Sequence, residues 1–296
     1  MKMEAFRENI VDLLQEHMGA DVKVTPKDVT KNNGVILHAI EISEEGRNVA
    51  PCIYMEAFHK RFEDGESIED IISEIRAMYE TRDKAVSFDT GEFSDYGSVC
   101  KRIRARLINT GKNSERLKGL PHREFLDLSL VYFVEVSVGD GIGTIQIENT
   151  HLRMWGVTEE ELFSQAMSNM QEGDEANLQS MAELLGSSTE CFIETISTDG
   201  FPMYVLTNHH KMNGASQIIR KDVLKYAGEV LGKDYMIIPS SIHEVLLVPD
   251  SGEPDLAKNI IGIIDYVNRT QVSEEEVLSY HVYRYCRANR EVAIAA

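Results

Sequence analysis

Residues 201–250 have the sequence FPMYVLTNHHKMNGASQIIRKDVLKYAGEVLGKDYMIIPSSIHEVLLVPD. Within it, MYVLTN predicts an apolar strand, HHKMNG a loop that ends in an Asn-Gly turn signal, and ASQII a returning strand. DVLKYAGEVLG predicts a short helix with Leu224, Ala227 and Leu231 on one face, and Gly232 as its C-cap. YMIIPSSIHEVLLV predicts two strands about a Pro-Ser-Ser corner. The stretch therefore predicts a core sheet with one packed helix.

On the C-terminal side of this stretch, LAKNIIGIIDYVNRTQV predicts a helix through Ile260, Ile264 and Val267. Ser273 and Glu276 have the spacing of a capping box, which predicts another helix start. HVYRYC predicts a last strand with a loose tail after it. The C-terminal region therefore continues the mixture of helices and strands.

On the N-terminal side, CFIETIS predicts a short strand, and Thr158 with Glu161 predicts a capping box at the start of a helix. FLDLSLVYFVEVSV and TIQIEN predict a hairpin across the Gly-rich turn GDGIG. VCKRIRARLINT, residues 99–110, predicts a helix with Val99, Ile103 and Leu107 facing inward.

The N-terminal third begins with an amphipathic helix, in which apolar residues recur at helical spacing from Phe6 to Met18. DVKVT and GVILHAIEI then predict an antiparallel hairpin across a polar loop. Residues 53–62 predict a second helix, and Ser67 is the expected N-cap of a third.

This order of elements predicts an α+β fold, with a mainly antiparallel mixed sheet, packed helices, and an N-terminal helical part before a sheet-rich C-terminal part. The basic helix at 99–110 lies at the end of the first part. We therefore expect a soft boundary that separates residues 1–120 from residues 121–296, and one continuous domain is an open alternative.

The composition is that of a globular protein, with 43% hydrophobic and 27% charged residues among 296. A formal net charge of −19 argues against a general nucleic-acid or anionic-membrane binder. The four cysteines show no CxxC spacing, which predicts reduced thiols. No stretch has the ~20 apolar residues of a membrane span, and the first helix lacks a signal-peptide core. We expect a soluble, cytoplasmic protein without membrane contact.

One segment has the opposite charge. Between residues 100 and 123 there is a single acid, Glu115, against eight basic residues. One interpretation is a surface that binds phosphate or nucleic acid. The other is a basic segment that docks on the protein's own acidic surface or is simply solvated, because no aromatic residues are interleaved with the cations. The eight basic residues are Lys101, Arg102, Arg104, Arg106, Lys112, Arg116, Lys118 and Arg123.

The candidate catalytic residues are Ser240, His243, Glu244 and Asn208. If strands 203–208 and 235–238 are neighbours that run in the same direction, these polar groups meet at one edge of the sheet. They would then supply a nucleophile, a base and an orienting carboxylate. The alternative is structural, because Ser240 lies only three residues before His243 and is a typical turn residue after proline.

A metal site could use four histidines of the C-terminal part. However, adjacent histidines in an extended segment point to opposite faces, and the sequence has no HExxH motif. We therefore assign no metal ligands and expect no cofactor. The histidines are His209, His210, His243 and His281.

Several runs together resemble a known family: LINTGKNSERLKGLPHREFLDLSLVYFVEV, TIQIENTHLRMWGVTEEELF, MYVLTNHHKMNGAS with YMIIPSSIHEVLLVP, and VNRTQVSEEEVLSYHVYRY. The family consists of uncharacterised bacterial proteins with a domain of unknown function, common in gut-dwelling Gram-positive bacteria and often near mobile elements. The resemblance covers nearly the whole chain. It implies a bacterial, intracellular protein and carries no established activity.

Taken together, these features favour a non-enzymatic binding or regulatory protein that acts through protein–protein contact, either with an unknown partner or by self-association. The alternative is a hydrolase or phosphate-handling enzyme that uses the Ser/His/Glu/Asn cluster. A third hypothesis is nucleic-acid binding through residues 101–123.

Overall fold

A computed structural model describes residues 1–81, 90–138, 141–185, 202–239 and 241–295. Its contacts divide the chain into two compact units, Met1–Phe93 with Val136–Gly143, and Ser94–Glu135 with Thr144–Ala296. The soft boundary near residue 120, with one continuous domain as its alternative, stays a prediction. In the structure, the strands on either side of that residue, Ile103–Asn109 and Leu128–Val138, pair with each other.

The first unit is built on a three-stranded antiparallel sheet with strand order β1-β2-β3. Its helix α1 buries Phe6, Ile10 and Leu14, which recur at the expected helical spacing. The Ser67 hydroxyl accepts a hydrogen bond from the Asp70 N–H (3.1 Å) at the start of α3, as an N-cap does. The elements are α1 (Met3–His17), β1 (Val22–Thr30), β2 (Ile36–Glu44), β3 (Cys52–Tyr54), α2 (Glu56–Glu63) and α3 (Ile68–Thr81), followed by α4 (Thr90–Ser94) at its end.

The second unit contains a six-stranded sheet of order β13-β12-β10-β11-β9-β8 and most of a four-stranded sheet in which β6 pairs with β4, β5 and β7; residues 136–138 of β6 and 141–143 of β7 are counted in the first unit. Neighbouring strands of the six-stranded sheet are antiparallel, and β6 is antiparallel to both β4 and β5. The elements are α5 (Tyr96–Val99), β4 (Ile103–Asn109), α6 (Ser114–Leu117), β5 (His122–Phe125), β6 (Leu128–Val138), β7 (Gly141–Gln146), α7 (Asn149–Trp155), α8 (Glu159–Gly173), β8 (Ala176–Ser180), α9 (Met181–Leu185), β9 (Tyr204–Asn208), α10 (Lys221–Leu231), β10 (Tyr235–Ile238), β11 (Val245–Pro249), α11 (Leu256–Thr270), β12 (Tyr283–Cys286) and β13 (Glu291–Ile294).

The predicted α+β fold is confirmed, and so are most of its local signals. The N-terminal hairpin forms as β1 and β2, and the strands about the Pro-Ser-Ser corner form as β10 and β11. Thr158 and Glu161 make the predicted capping box at the start of α8. Gly232 ends α10 with a left-handed φ of 72°, which glycine adopts without strain.

The helix predicted at 99–110 is wrong, because residues 103–109 form strand β4. The apolar residues used for that prediction are four apart, a spacing that fits a strand as well as a helix. In the structure Ile103, Ala105 and Leu107 are buried, whereas Arg104 and Arg106 on the other face are partly exposed. The basic segment therefore has no helical face on which its cations line up.

Four smaller predictions also differ from the structure. ASQII belongs to a 3-10 helix, Gly214–Ile219, rather than a strand. Ser273 and Glu276 close a backbone turn (2.8 Å) and begin no helix. The expected loose tail pairs with β12 as strand β13. The helix predicted over 53–62 begins only at Glu56, because the preceding residues pair with β2. The strand predicted at CFIETIS lies outside the described residues.

Candidate functional site

The predicted catalytic cluster lies at one end of the six-stranded sheet. The condition set for this cluster, that β9 and β10 are neighbours, is not met, because β11 lies between them and pairs with both in antiparallel fashion. They still run in the same direction, so the carboxyl end of each meets the start of β11. This topology brings Asn208 and His243 to one edge of the sheet.

The polar atoms of Asn208 and His243 are engaged within the protein. Asn208 is buried, and its amide exchanges hydrogen bonds with the backbone N–H (3.1 Å) and carbonyl (2.7 Å) of Met212. His243 Nδ1 accepts a hydrogen bond from the Asn213 N–H (3.2 Å), which leaves the proton on Nε2, 3.5 Å from Glu276 Oε1. Because both ring nitrogens have partners, this arrangement fixes a loop and offers no ready general base.

The residues around Asn208 and His243 are also closely packed. The Thr207 hydroxyl donates to the carbonyl of His243 (2.8 Å), and the backbone of Gly214 lies against both residues. A Cβ on Gly214 would collide with Thr207 Oγ1 and lie 2.6 Å from the Asn208 nitrogen and 2.7 Å from the His243 oxygen. Only glycine fits there. We call this region the Asn208 corner: Thr207, Asn208, Met212–Gly214 and His243.

A buried carboxylate, Asp174, adjoins the corner. Its Oδ2 accepts hydrogen bonds from Asn208 (3.1 Å) and Gln217 (3.4 Å), while its Oδ1 is buried without a partner among the described residues. Burial raises the pKa of Asp174, and the hydrogen bond from Asn208 and nearby positive charges, including that of Arg220, oppose the rise. No local pattern in the sequence signals this residue.

The other candidate catalytic and metal-ligating residues lie in separate settings. Ser240 lies outside the described residues, and Glu244 directly precedes β11, where its carbonyl accepts from the Ser241 N–H (3.4 Å). Within the described part of the chain, no three His, Cys, Asp or Glu side chains are grouped to hold a metal ion. The rings of His209 and His210 contact each other edge to face, 5.5 Å between centroids.

Most cations of the basic segment have partners within the protein. Arg123 binds Glu159 (2.8 Å) and Glu160 (2.6 Å), and its guanidinium lies 3.8 Å from the centre of the Phe163 ring. Four other cations of the segment also have partners: Arg104 binds Glu135 (3.2 Å), Lys118 binds Glu115 (2.6 Å), Lys112 faces the Tyr280 ring, and Arg102 donates to the Ser98 carbonyl (3.2 Å). Lys101 is exposed.

Arg106 and Arg116 are different. Both donate to the same oxygen, Gln146 Oε1, at 2.8 and 3.3 Å, and no carboxylate of the described residues forms an ion pair with either. Burial, followed by the charge of Arg116, lowers the pKa of Arg106 to about 10; burial also lowers the pKa of Arg116. Both guanidiniums therefore remain charged at neutral pH, partly buried and without a counter-charge from the described residues.

Two neighbours orient this pair, and the sequence patterns indicated neither of them as part of a site. Gln146 donates its own Nε2–H to the Tyr132 carbonyl (2.7 Å), which turns Oε1 toward the arginines. The Arg106 guanidinium lies 5.4 Å from the centre of the Phe133 ring. We call Arg106 and Arg116 the arginine pair, and Gln146 the bridge between them. The sequence placed Phe133 in a predicted strand that follows the basic segment, without linking it to a site. No local pattern marked Gln146 as a functional residue.

Comparison with protein families matches residues 3–287 to a family of unknown function, DUF5688. The chain belongs to this family. The match spans nearly the whole chain, which confirms the expected membership of an uncharacterised family. Comparisons with curated proteins and with solved structures give no match. Among the described residues, no helix has both the length and the apolarity needed to cross a membrane.

Proposed function

We propose that the protein is a non-enzymatic binding protein that takes up an extended, acidic segment of a partner protein along strand β13. The observation that carries this proposal is a sheet edge, beside a groove, that no strand of the described residues covers. Strand β13 is the terminal strand of the six-stranded sheet, and its residue Ile294 is 46% exposed. An exposed edge presents unpaired backbone groups to which another strand can add.

The groove runs along this edge. It has a volume of about 740 Å³. Consecutive strand residues point to opposite faces of a sheet, and residues from both faces of β13 line the groove. The groove therefore follows the edge of the strand rather than one face. Its apolar lining includes Phe125, Ile218, Leu224 and Val292.

The charge of the groove favours an acidic occupant. Lys221, Arg284 and Arg290 line it, against the single acid Glu291. Arg284 is held by Asp234 and Asp250, but Lys221 and Arg290 form no ion pair with the described residues. Alternating apolar and acidic side chains on an added strand would match this lining.

We place this function in the cytoplasm of a bacterium, with a link to mobile elements, as the family resemblance implies. The hydrolase alternative has less support, because the polar atoms of Asn208 and His243 bind other groups of the protein and are not available to a substrate. Nucleic-acid binding has less support as well, because most cations between residues 101 and 123 already have partners.

The backbone register gives a sharp test. Ala295 N–H donates to the Val282 carbonyl, so alternate residues of β13 face β12, and the N–H of Val292 faces the open edge. Proline at an outward position removes a donor without breaking the native ladder. We expect V292P to remain folded by circular dichroism, whereas V292T, which keeps the N–H, serves as the matched control.

The probe is a library of random decapeptides displayed on phage, selected against the full chain. We expect enriched peptides with alternating apolar and acidic residues, at least about tenfold weaker binding to V292P, and unchanged binding to V292T. Enriched peptides that bind V292P as well as the wild type, or a selection that enriches nothing, would contradict the proposal.

A further inference from the structure

The two guanidiniums of the arginine pair have more N–H donors than the described residues around them have acceptors. Each guanidinium carries five N–H groups, and the described residues give the two arginines one shared acceptor, Gln146 Oε1. Arg106 Nε is buried and has no partner among the described residues. Donors without acceptors in a partly buried position carry a desolvation cost, and no hydrogen bond from the described residues offsets it.

This lack is unusual in an acidic chain. The sequence has 49 acidic residues against 30 basic ones, so carboxylates are plentiful. Neighbouring arginines of the same segment have them: Arg104 binds Glu135, and Arg123 binds two glutamates. Gln146 lies where an acid would neutralise the pair, and it accepts hydrogen bonds without supplying charge. Within the described residues, the two positive charges of the pair therefore have no counter-charge, which leaves them available to a ligand.

The chemistry of the pair favours a compact oxyanion. Two guanidiniums that converge on one point present forked N–H donors, the geometry that matches the oxygens of a phosphoryl group. A phosphate monoester near neutral pH carries close to two negative charges and three acceptor oxygens, which suits two cations and their spare donors. The Phe133 ring and the Gln146 bridge hold the donors in place before an anion arrives, which lowers the entropy lost on binding.

We propose that Arg106 and Arg116, bridged by Gln146, form a binding site for a phosphoryl group, brought either by a small phosphate monoester or by free inorganic phosphate. This site is separate from the β13 groove and does not depend on the function proposed for it. The V292P variant is accordingly expected to keep it.

Isothermal titration calorimetry of the full chain tests the proposal with three probes: inorganic phosphate, glycerol 3-phosphate and succinate. We expect saturable binding of phosphate or glycerol 3-phosphate that weakens as salt increases, and much weaker binding of succinate. Tighter binding of glycerol 3-phosphate than of phosphate identifies a monoester as the ligand; the reverse order identifies the free ion. The absence of saturable binding by both phosphorus probes would overturn the proposal.

Three variants and one control locate the site. R106Q and R116Q are each expected to weaken binding at least about tenfold, the value of one charge-assisted contact. Q146E supplies an internal carboxylate to both arginines, so it is expected to abolish binding while circular dichroism shows a folded protein. K101Q removes an exposed cation of the same segment and should leave the dissociation constant unchanged. Equal losses in K101Q and R106Q, or full binding by Q146E, would show that the arginine pair is not the site.

Discussion

The Asn208 corner and the arginine pair are both polar clusters of the second unit, and they differ in how their hydrogen-bonding groups are used. In the corner, the amide of Asn208 and both ring nitrogens of His243 are matched by other groups of the protein. In the arginine pair, two guanidiniums share one oxygen, and a buried N–H has no acceptor among the described residues.

This difference distinguishes a polar cluster that stabilises the fold from a polar cluster that can bind a ligand. A cluster whose donors and acceptors balance fixes the fold, and removing one member leaves its partner unsatisfied. A cluster with surplus donors of one charge gains its missing interactions only when a ligand of opposite charge arrives. Residue types alone made Asn208 and His243 of the corner candidates for the alternative, catalytic function, whereas the balance of partners favours the arginine pair as a binding site.

The largest expected effect is in the corner. G214A places a methyl group against the Asn208 backbone and the His243 carbonyl, so we expect the free energy of unfolding to fall by about 3 kcal/mol. Urea denaturation measures this change. The matched control is G262A in α11, where nothing lies within 4 Å of the new methyl group and helix propensity predicts a gain of about 0.5 kcal/mol. Equal effects at the two glycines would show that the corner is not tightly packed.

A smaller loss is expected for N208A. This change leaves the N–H and carbonyl of Met212, and one oxygen of buried Asp174, without the partners they now have. We expect the free energy of unfolding to fall by about 2 kcal/mol. N208D should be at least as damaging, because a carboxylate oxygen would replace the Nδ2–H donor and face the buried Asp174 carboxylate and the Met212 carbonyl. A loss below about 0.5 kcal/mol for N208A would mean that water replaces the amide freely, and the distinction between the clusters would weaken.

The smallest effect should have the opposite sign. R106M replaces a partly buried cation, which no carboxylate of the described residues pairs with, by an apolar side chain of similar length. We therefore expect unfolding in phosphate-free buffer to cost about 1 kcal/mol more than in the wild type. The same substitution at Arg123, which is paired with Glu159 and Glu160, should instead lower stability by about 1 kcal/mol. Destabilisation of equal size at both positions would show that Arg106 serves the fold.

Some of this arrangement is predictable from the sequence because its causes are local. The Thr158–Glu161 capping box, the left-handed Gly232 and the N-terminal hairpin each depend on residues close together in the chain. Strand β4 was mistaken for a helix because apolar residues four apart fit both periodicities, and only pairing with β6 decides between them. The sequence placed Asn208 and His243 together only if their strands were neighbours; the two residues do meet, although β11 lies between those strands.

By itself, the sequence determined the α+β class, most helices and hairpins, the acidity of the chain and the concentration of cations between residues 101 and 123. Only the tertiary structure decided which of those cations have a counter-charge. Gln146 lies 40 residues from Arg106, and Glu159 lies 36 residues from Arg123. Contacts at such separations arise from strand pairing and packing, which no local pattern encodes. For that reason two arginines of one segment, alike in sequence, differ in what they can bind.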